Sequence, residues 1–265
     1  MRVTLLRGCS DAYTGNAYAV LGDGNRPEDV NTLVDTGTDG TLLAQLGALS
    51  TGIGHERVQQ VLLTHSHFDH TGGLPMLRRA YPALKAYAFE LLPGVDETLY
   101  DGRFVRVGDR SAKVLHTPGH SDDSISIYVP EEHALFCGDT QVDIKTPGGA
   151  YPRVFVSTLE RLLGLDVHVI YPGHGDPMRD NLHAMLERTL DCVHKSELVS
   201  AALHHAPVVE ATWAATRGPR VVPIGRDGSR EAARPPARSG PGEDRGRGET
   251  RRAEARGKRV RAGDR

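Results

Sequence analysis

Cysteines, aromatic rings and long apolar runs are all scarce in this chain, and each scarcity excludes a class of protein. Three cysteines, Cys9, Cys137 and Cys192, stand far apart in 265 residues, with no CxxC pair. That is no disulfide framework, and it suits a reducing compartment. No apolar stretch approaches the ~20 residues of a membrane span. The opening run MRVTLLRGCSDAYTG also lacks the apolar segment of a signal peptide. A cytoplasmic protein with no membrane association is therefore the expectation. There is no GxSxG run, so a serine nucleophile on a strand-to-helix elbow is not indicated. Gly22-Asp23-Gly24 reads as a turn, not as a nucleotide-binding fingerprint. With 38% hydrophobic and only 5% aromatic residues, the core must be built from Val, Leu, Ile and Ala.

The small net charge of −2 conceals a break in composition. Residues 207–265 carry 15 basic and 8 acidic side chains, whereas residues 1–206 carry 17 and 26. We therefore expect a folded acidic body over 1–206 and an Arg-rich tail over 207–265. From Arg234 the tail, RPPARSGPGEDRGRGETRRAEARGKRVRAGDR, has almost no bulky apolar residue. It cannot bury enough surface to offset its ordering entropy and is expected to be disordered. Arg clusters attract phosphate, but a solvated tail without nucleic-acid binding is the preferred reading.

Within the body, short apolar runs bounded by Gly, Pro, Asp or Asn predict ten strands. They are Val3–Leu6, Ala17–Leu21, Thr32–Val34, Val61–Leu63, Lys85–Ala88, Phe104–Val107, Ala112–His116, Ser124–Val129, Ala134–Cys137 and Val167–Tyr171. Helical spacing predicts helices over Gly40–Leu49, Gly72–Tyr81, Phe155–Leu163 and Asp180–Leu203. Strands come singly before helices at first and in succession between 104 and 137. That order fits an α/β protein with two packed sheets flanked by helices.

The chemistry concentrates in HSHFDH at residues 65–70. His65, His67, Asp69 and His70 fall within six residues, a pattern expected by chance only roughly 0.002 times at this composition. The run follows the predicted strand Val61–Leu63 and precedes a Gly-rich turn, so a rigid scaffold would hold it while one side stays open. Imidazoles and a carboxylate suit Zn²⁺ and similar divalent ions. Four ligands this crowded divide more naturally between two ions than around one. His120 in TPGHSDDS, Asp139 in LFCGDT and His174 in YPGHGDP follow later strands or turns, each beside glycine. There the backbone can bend tightly towards an ion.

This ordered set, HxHxDH, a PGH histidine, a GD and a second PGH histidine, resembles the metallo-β-lactamase superfamily over roughly residues 3–205. Hydroxyacylglutathione hydrolases (glyoxalase II) look most similar. The resemblance implies an αβ/βα four-layer sandwich with two divalent metal ions at one edge, Zn first, with Fe or Mn as options. It implies His65, His67 and His120 on one ion, Asp69, His70 and His174 on the other, and Asp139 bridging them. Asp35 in NTLVDTG would support the site from behind its ligands. Ser121-Asp122-Asp123 stands where such hydrolases usually continue with Thr, one residue and Gly. The substantial C-terminal helical domain that binds glutathione is also missing, so that substrate is not carried over.

Two such ions would share a water, and the bridging hydroxide would attack a small ester, thioester or lactone, with Asp69 placed to relay a proton. Lys145 and Tyr151, between ligand-bearing strands, are candidate substrate contacts. Cys137 reads as a buried small hydrophobe, not a nucleophile. An iron-dependent sulfur dioxygenase with one metal is the alternative, and a nuclease or phosphodiesterase a weaker one. A small-molecule substrate is expected, and assembly as a homo-oligomer stays open. An exported antibiotic-degrading role fits poorly with the absent leader.

Overall fold

The structure is a computed structural model, and it describes residues 1–8, 13–23, 26–51 and 56–200. The expected tail over 207–265, and the boundary placed before it, lie outside the described residues.

Strands β1 (Arg2–Leu6), β2 (Ala17–Leu21), β3 (Thr32–Val34) and β4 (Gln60–Leu62) begin the first sheet. β5 (Lys85–Ala88) and β6 (Glu97–Thr98) complete it, in the order β1-β2-β3-β4-β5-β6. It is antiparallel from β1 to β3 and parallel from β3 to β6. The second sheet contains β7 (Phe104–Val107), β8 (Arg110–His116), β9 (Ile125–Val129), β10 (Ala134–Gly138) and β12 (Val169–Pro172). Its order is β12-β10-β9-β8-β7, with β10 and β12 parallel. A short parallel pair joins β11 (Ala150–Pro152) to β13 (Glu197–Val199). The helices are α1 (Thr41–Ala48), the single turn α2 (Phe68–Thr71), α3 (Leu74–Ala80), α4 (Arg153–Leu163) and α5 (Leu182–His194).

Side-chain alternation along the strands builds the layers. In β3 and β4, Val34 and Leu62 face the second sheet and meet Ile125, Ile127 and Phe136. Their neighbours Leu33 and Val61 turn the other way, onto Leu42 and Leu46 of α1 and Leu74 and Leu77 of α3. In β10, Phe136 faces the sheet interface, while Leu135 packs with Phe155 and Leu159 of α4 and Leu186 of α5. Both faces of the central strands are thus buried, which is why they read as continuous apolar runs. The result is helix, sheet, sheet, helix: the four-layer α/β sandwich expected.

Three differences from expectation are physical. Helix α5 ends at His194 instead of continuing to Leu203. Ser196 closes it, its Oγ donating to the Cys192 carbonyl at 2.7 Å and its N–H to Val193 at 3.1 Å. The chain then pairs as β13 with β11. The helix expected over Gly72–Tyr81 starts later, at Leu74, because Phe68–Thr71 forms its own turn. Strands β6, β11 and β13 were not expected. They hold only two or three residues each and draw their regularity from the strand alongside.

Candidate metal centre

Every candidate ligand sits just beyond the C-terminal end of a strand. β4 leads through Leu63 and Thr64 to His65; β8 leads to the loop holding His120; β10 and β12 lead to Asp139 and His174. His67 precedes α2, and Asp69 and His70 lie in its single turn. The structure thereby gathers residues that are more than one hundred positions apart.

They form two adjoining groups. His65, His67 and His120 each offer a nitrogen, all within 4.8 Å of one another. Asp69, His70, Asp139 and His174 do the same within the same limit. Asp139 stands between the groups. One oxygen lies 3.2 Å from His70 Nε2, and the other lies 3.5 Å from His120 Nε2, 3.4 Å from His174 Nε2 and 4.0 Å from His65 Nε2. Asp69 Oδ2 is 3.1 Å from His174 Nε2 and 3.5 Å from His70 Nε2.

The arrangement is held from behind. Asp35, buried and in the left-handed region at φ 57°, accepts from the Thr64 N–H at 2.7 Å and the Thr64 hydroxyl at 2.8 Å. It also accepts from His70 Nδ1 at 2.8 Å. The Thr64 hydroxyl proton goes to Asp35, so its oxygen accepts from His65 Nδ1, 3.1 Å away. Both rings therefore carry a proton on Nδ1 and turn Nε2 towards the cluster. This is the hydrogen-bonded support that orients metal-binding histidines. Gly173 and Gly138 allow close approach: a Cβ on Gly173 would fall 2.1 Å from Asp139 Oδ1, and one on Gly138 would fall 2.5 Å from Thr64 Oγ1.

The loop with the unusual Ser121-Asp122-Asp123 is closed by its own polar groups. The Ser121 hydroxyl donates to Asp123 at 2.7 Å and lies 2.7 Å from Ser124 Oγ. His116 donates from Nε2 to the Asp122 carbonyl at 2.7 Å. The departure from the usual pattern thus yields a tied loop that still delivers His120.

Electrostatics divide the set: His65 and His120 are neutral donors, whereas His70 holds a second proton that a cation would have to displace. Burial and neighbouring His70 push the His65 imidazole down to about 2, leaving it neutral. Burial also lowers His120. For His70, burial alone would lower the pKa, but Asp35 and Asp139 outweigh it and raise the group to about 10. Burial would likewise raise Asp139, yet His70 pulls it well below the usual carboxylate range. Four buried atoms, His65 Nε2, Asp69 Oδ2, His70 Nε2 and Asp139 Oδ1, have no hydrogen-bond partner among the described residues. Such groups are costly unless something binds them. All four point into the cluster, so the residues fit divalent cations.

A groove of about 450 Å³ opens beside the cluster between His120, Asp139, Thr140, Val142, His174 and Met178. Tyr151 is not on its wall; it packs against Phe155, with ring centroids 5.8 Å apart. Lys145 is also off the wall and pairs with Asp143 at 3.7 Å. Cys137 is buried beneath, and burial pushes its thiol up to about 12, which fits a packing role. Sequence reasoning misses Thr64, and also two exposed aromatics beside the site's loops, Tyr13 and Phe68. Tyr13 lies over His174 with centroids 5.8 Å apart, and Phe68 opens α2. Thr64 has one signal in the sequence: a hydroxyl between an apolar strand and a run of ligands.

The profile described as Metallo-beta-lactamase superfamily matches residues 11–90 and 85–174, more than half of the chain. The chain belongs to the metallo-β-lactamase superfamily. Within it, the chain is 31% identical over 186 residues to an atrochrysone carboxyl ACP thioesterase of Aspergillus fumigatus, covering 69% of this chain and 57% of that protein. It is 34% identical over 181 residues to an atrochrysone carboxyl ACP thioesterase of Emericella nidulans, covering 66% and 56%. The matches span about half the length of these curated relatives. These relatives have thioesterase names, whereas the motifs alone look most similar to glyoxalase II. Among solved structures, the metallo-beta-lactamase family protein TTHA1429 from Thermus thermophilus has a TM-score of 0.55 at 24% identity, over 71% of this chain and 78% of that one. That likeness shows the superfamily fold. TTHA1623, solved in a di-iron-bound form, has a TM-score of 0.51 at 27% identity, over 64% of this chain and 92% of that one.

Proposed function

We propose that the chain is a metal-dependent hydrolase of acyl thioesters, working with two divalent ions. The observation that carries this reading is the convergence of four buried, unpartnered ligand atoms between two groups of His and Asp. In this reading His65, His67 and His120 hold one ion, Asp69, His70 and His174 hold the other, and Asp139 bridges them. The names of the thioesterase relatives favour a thioester over an ester or lactone.

Two bound ions would lower the pKa of a shared water from about 15.7 towards ~7 and polarise the acyl carbonyl. The chain's own residues do the rest. Asp35 and Thr64 fix the two buried rings, so that the donor geometry exists before any ligand arrives. Asp69, whose Oδ2 is 3.1 Å from His174 Nε2, is placed to take the proton from an attacking water. Exposed Tyr13, over His174, offers an apolar surface for the acyl group. The acyl C–S bond breaks with its electron pair on sulfur, and the thiolate is a good leaving group, so a strong general acid is not required.

The test is a substrate panel on the purified full chain, with simple acyl thioesters beside lactones and phosphodiesters. Release of free thiol well above ring opening or phosphate-ester cleavage is expected. Uptake of O₂ with one bound iron, and no thiol release, would replace this reading with the dioxygenase alternative.

A further inference from the structure

A second cluster lies at the opposite end of the same strands. β10 and β12 are parallel, with Ala134 opposite Val169 and Gly138 opposite Pro172. Their C-terminal ends lead to Asp139 and His174. Their N-terminal ends are preceded by His133 and His168, which the pairing sets side by side. The two rings stack with centroids 4.2 Å apart and planes 19° apart. Asp166 bridges them: one oxygen lies 2.9 Å from His133 Nδ1 and the other 3.1 Å from His168 Nε2. A ligand atom from each of the three lies within 4.8 Å of the others.

The backbone prearranges this cluster. The His133 carbonyl accepts from the N–H of His168 at 2.7 Å and of Val169 at 3.2 Å. The Tyr128 hydroxyl donates to the Asp166 carbonyl at 2.8 Å. His133 itself is in the left-handed region at φ 50°, which side chains other than Gly, Asn and Asp seldom adopt.

We propose that His133, Asp166 and His168 form a further metal site, for one divalent transition-metal ion such as Zn²⁺, separate from the candidate catalytic centre. Two imidazoles and a carboxylate are the donor set that favours Zn²⁺ and its neighbours over Mg²⁺ or Ca²⁺, which seek oxygen ligands. The site faces an open groove of about 550 Å³ whose wall also carries Arg179, Asn181, His183 and Glu187, leaving coordination positions to water or a small anion. Five strand residues at about 3.3 Å each separate it from the other end, roughly 17 Å away.

The experiment counts ions by difference, so it does not depend on what the catalytic cluster does. The full chain, loaded with Zn²⁺, is dialysed against micromolar free Zn²⁺ and its metal content compared with three variants. His168→Ala removes an exposed ligand, Asp166→Asn removes the bridging charge, and His133→Asn keeps a residue that tolerates the left-handed backbone. Each variant should bind one equivalent fewer than the parent while its catalytic turnover is unchanged. Losing a supporting group around a metal already costs about 10–100-fold in affinity, so losing a ligand should cost at least tenfold. Equal metal content in parent and variants overturns the proposal. So does a loss of metal accompanied by an equal loss of turnover, since the two sites would then not be separate.

Discussion

The two glycines of the run Tyr171-Pro172-Gly173-His174-Gly175 should respond to alanine in opposite ways, and the structure says why. A Cβ at Gly173 would lie 2.1 Å from Asp139 Oδ1, 2.7 Å from His70 Cε1 and 2.9 Å from the Gly138 carbonyl carbon. Ordinary contact begins near 3.4 Å, so the carboxylate must retreat by about 1.3 Å or the strand end must move. Overpacking of this kind costs about 1–3 kcal/mol of stability. The larger effect is on chemistry, because a misplacement of ~1 Å at a catalytic group costs on the order of 100-fold in rate. Gly175 is different. It has open space around its Cβ position but a φ of 82°. Gly175→Ala should therefore cost about 1–2 kcal/mol through backbone strain, with turnover near the parent's. Thermal melts and initial rates on the two variants make the comparison. If Gly173→Ala keeps parental turnover, or if the two variants lose turnover equally, the claim that Asp139 and His70 must stand at these positions is wrong.

Other predictions follow from the supporting contacts. Asp35→Asn keeps the left-handed backbone but replaces one acceptor oxygen by a donor that faces Thr64 or His70. Metal affinity should fall about 10–100-fold, read by competition with a chromophoric chelator. Thr64→Val should strand His65 Nδ1, while both Asp35 oxygens keep a partner in His70 Nδ1 and the Thr64 N–H, costing about 1–3 kcal/mol in a chemical melt. No loss of stability would mean that the hydroxyl chain does not form. Cys137 should resist alkylation in the folded protein at pH 8, because burial raises its thiol from 9.0 to about 12. Since the fold holds that proton while the unfolded chain releases it, this contribution to stability is intact below about pH 9 and lost as pH rises towards 12. Peptide mapping after brief exposure to a thiol reagent checks it, and rapid labelling of Cys137 would contradict the burial argument.

Much of this fold is legible in the sequence because its central strands are covered on both faces and the others are bounded by clear turn residues. Ala17–Leu21, Thr32–Val34, Lys85–Ala88 and Phe104–Val107 coincide with strands residue for residue. Their apolar content and bounding turn residues are local signals. β13 reads as helix in the sequence because the apolar spacing of α5 continues through Leu198, whereas the stop is a side-chain bond from Ser196 that spacing does not show. The seven candidate ligands are legible because they cluster at strand ends beside glycine. Thr64 is not, since its role exists only once Asp35 is folded against it. Tyr13 escapes notice for a related reason: an aromatic residue in a loop looks ordinary until His174 lies beneath it.

The measurement that bears most directly on the central claim is bound metal and thiol release, followed together as a chelator strips the full chain and ions are returned. Hydrolysis of an acyl thioester should disappear as metal is removed, return when Zn²⁺ is added back, and reach full rate only with both candidate positions supplied. In His67→Ala and His70→Ala, each variant should lose much of one equivalent and most of its turnover, because attack and leaving-group stabilisation are divided between the ions. Undiminished thiol release from chain stripped of metal, or full metal retention in both variants, would contradict the account.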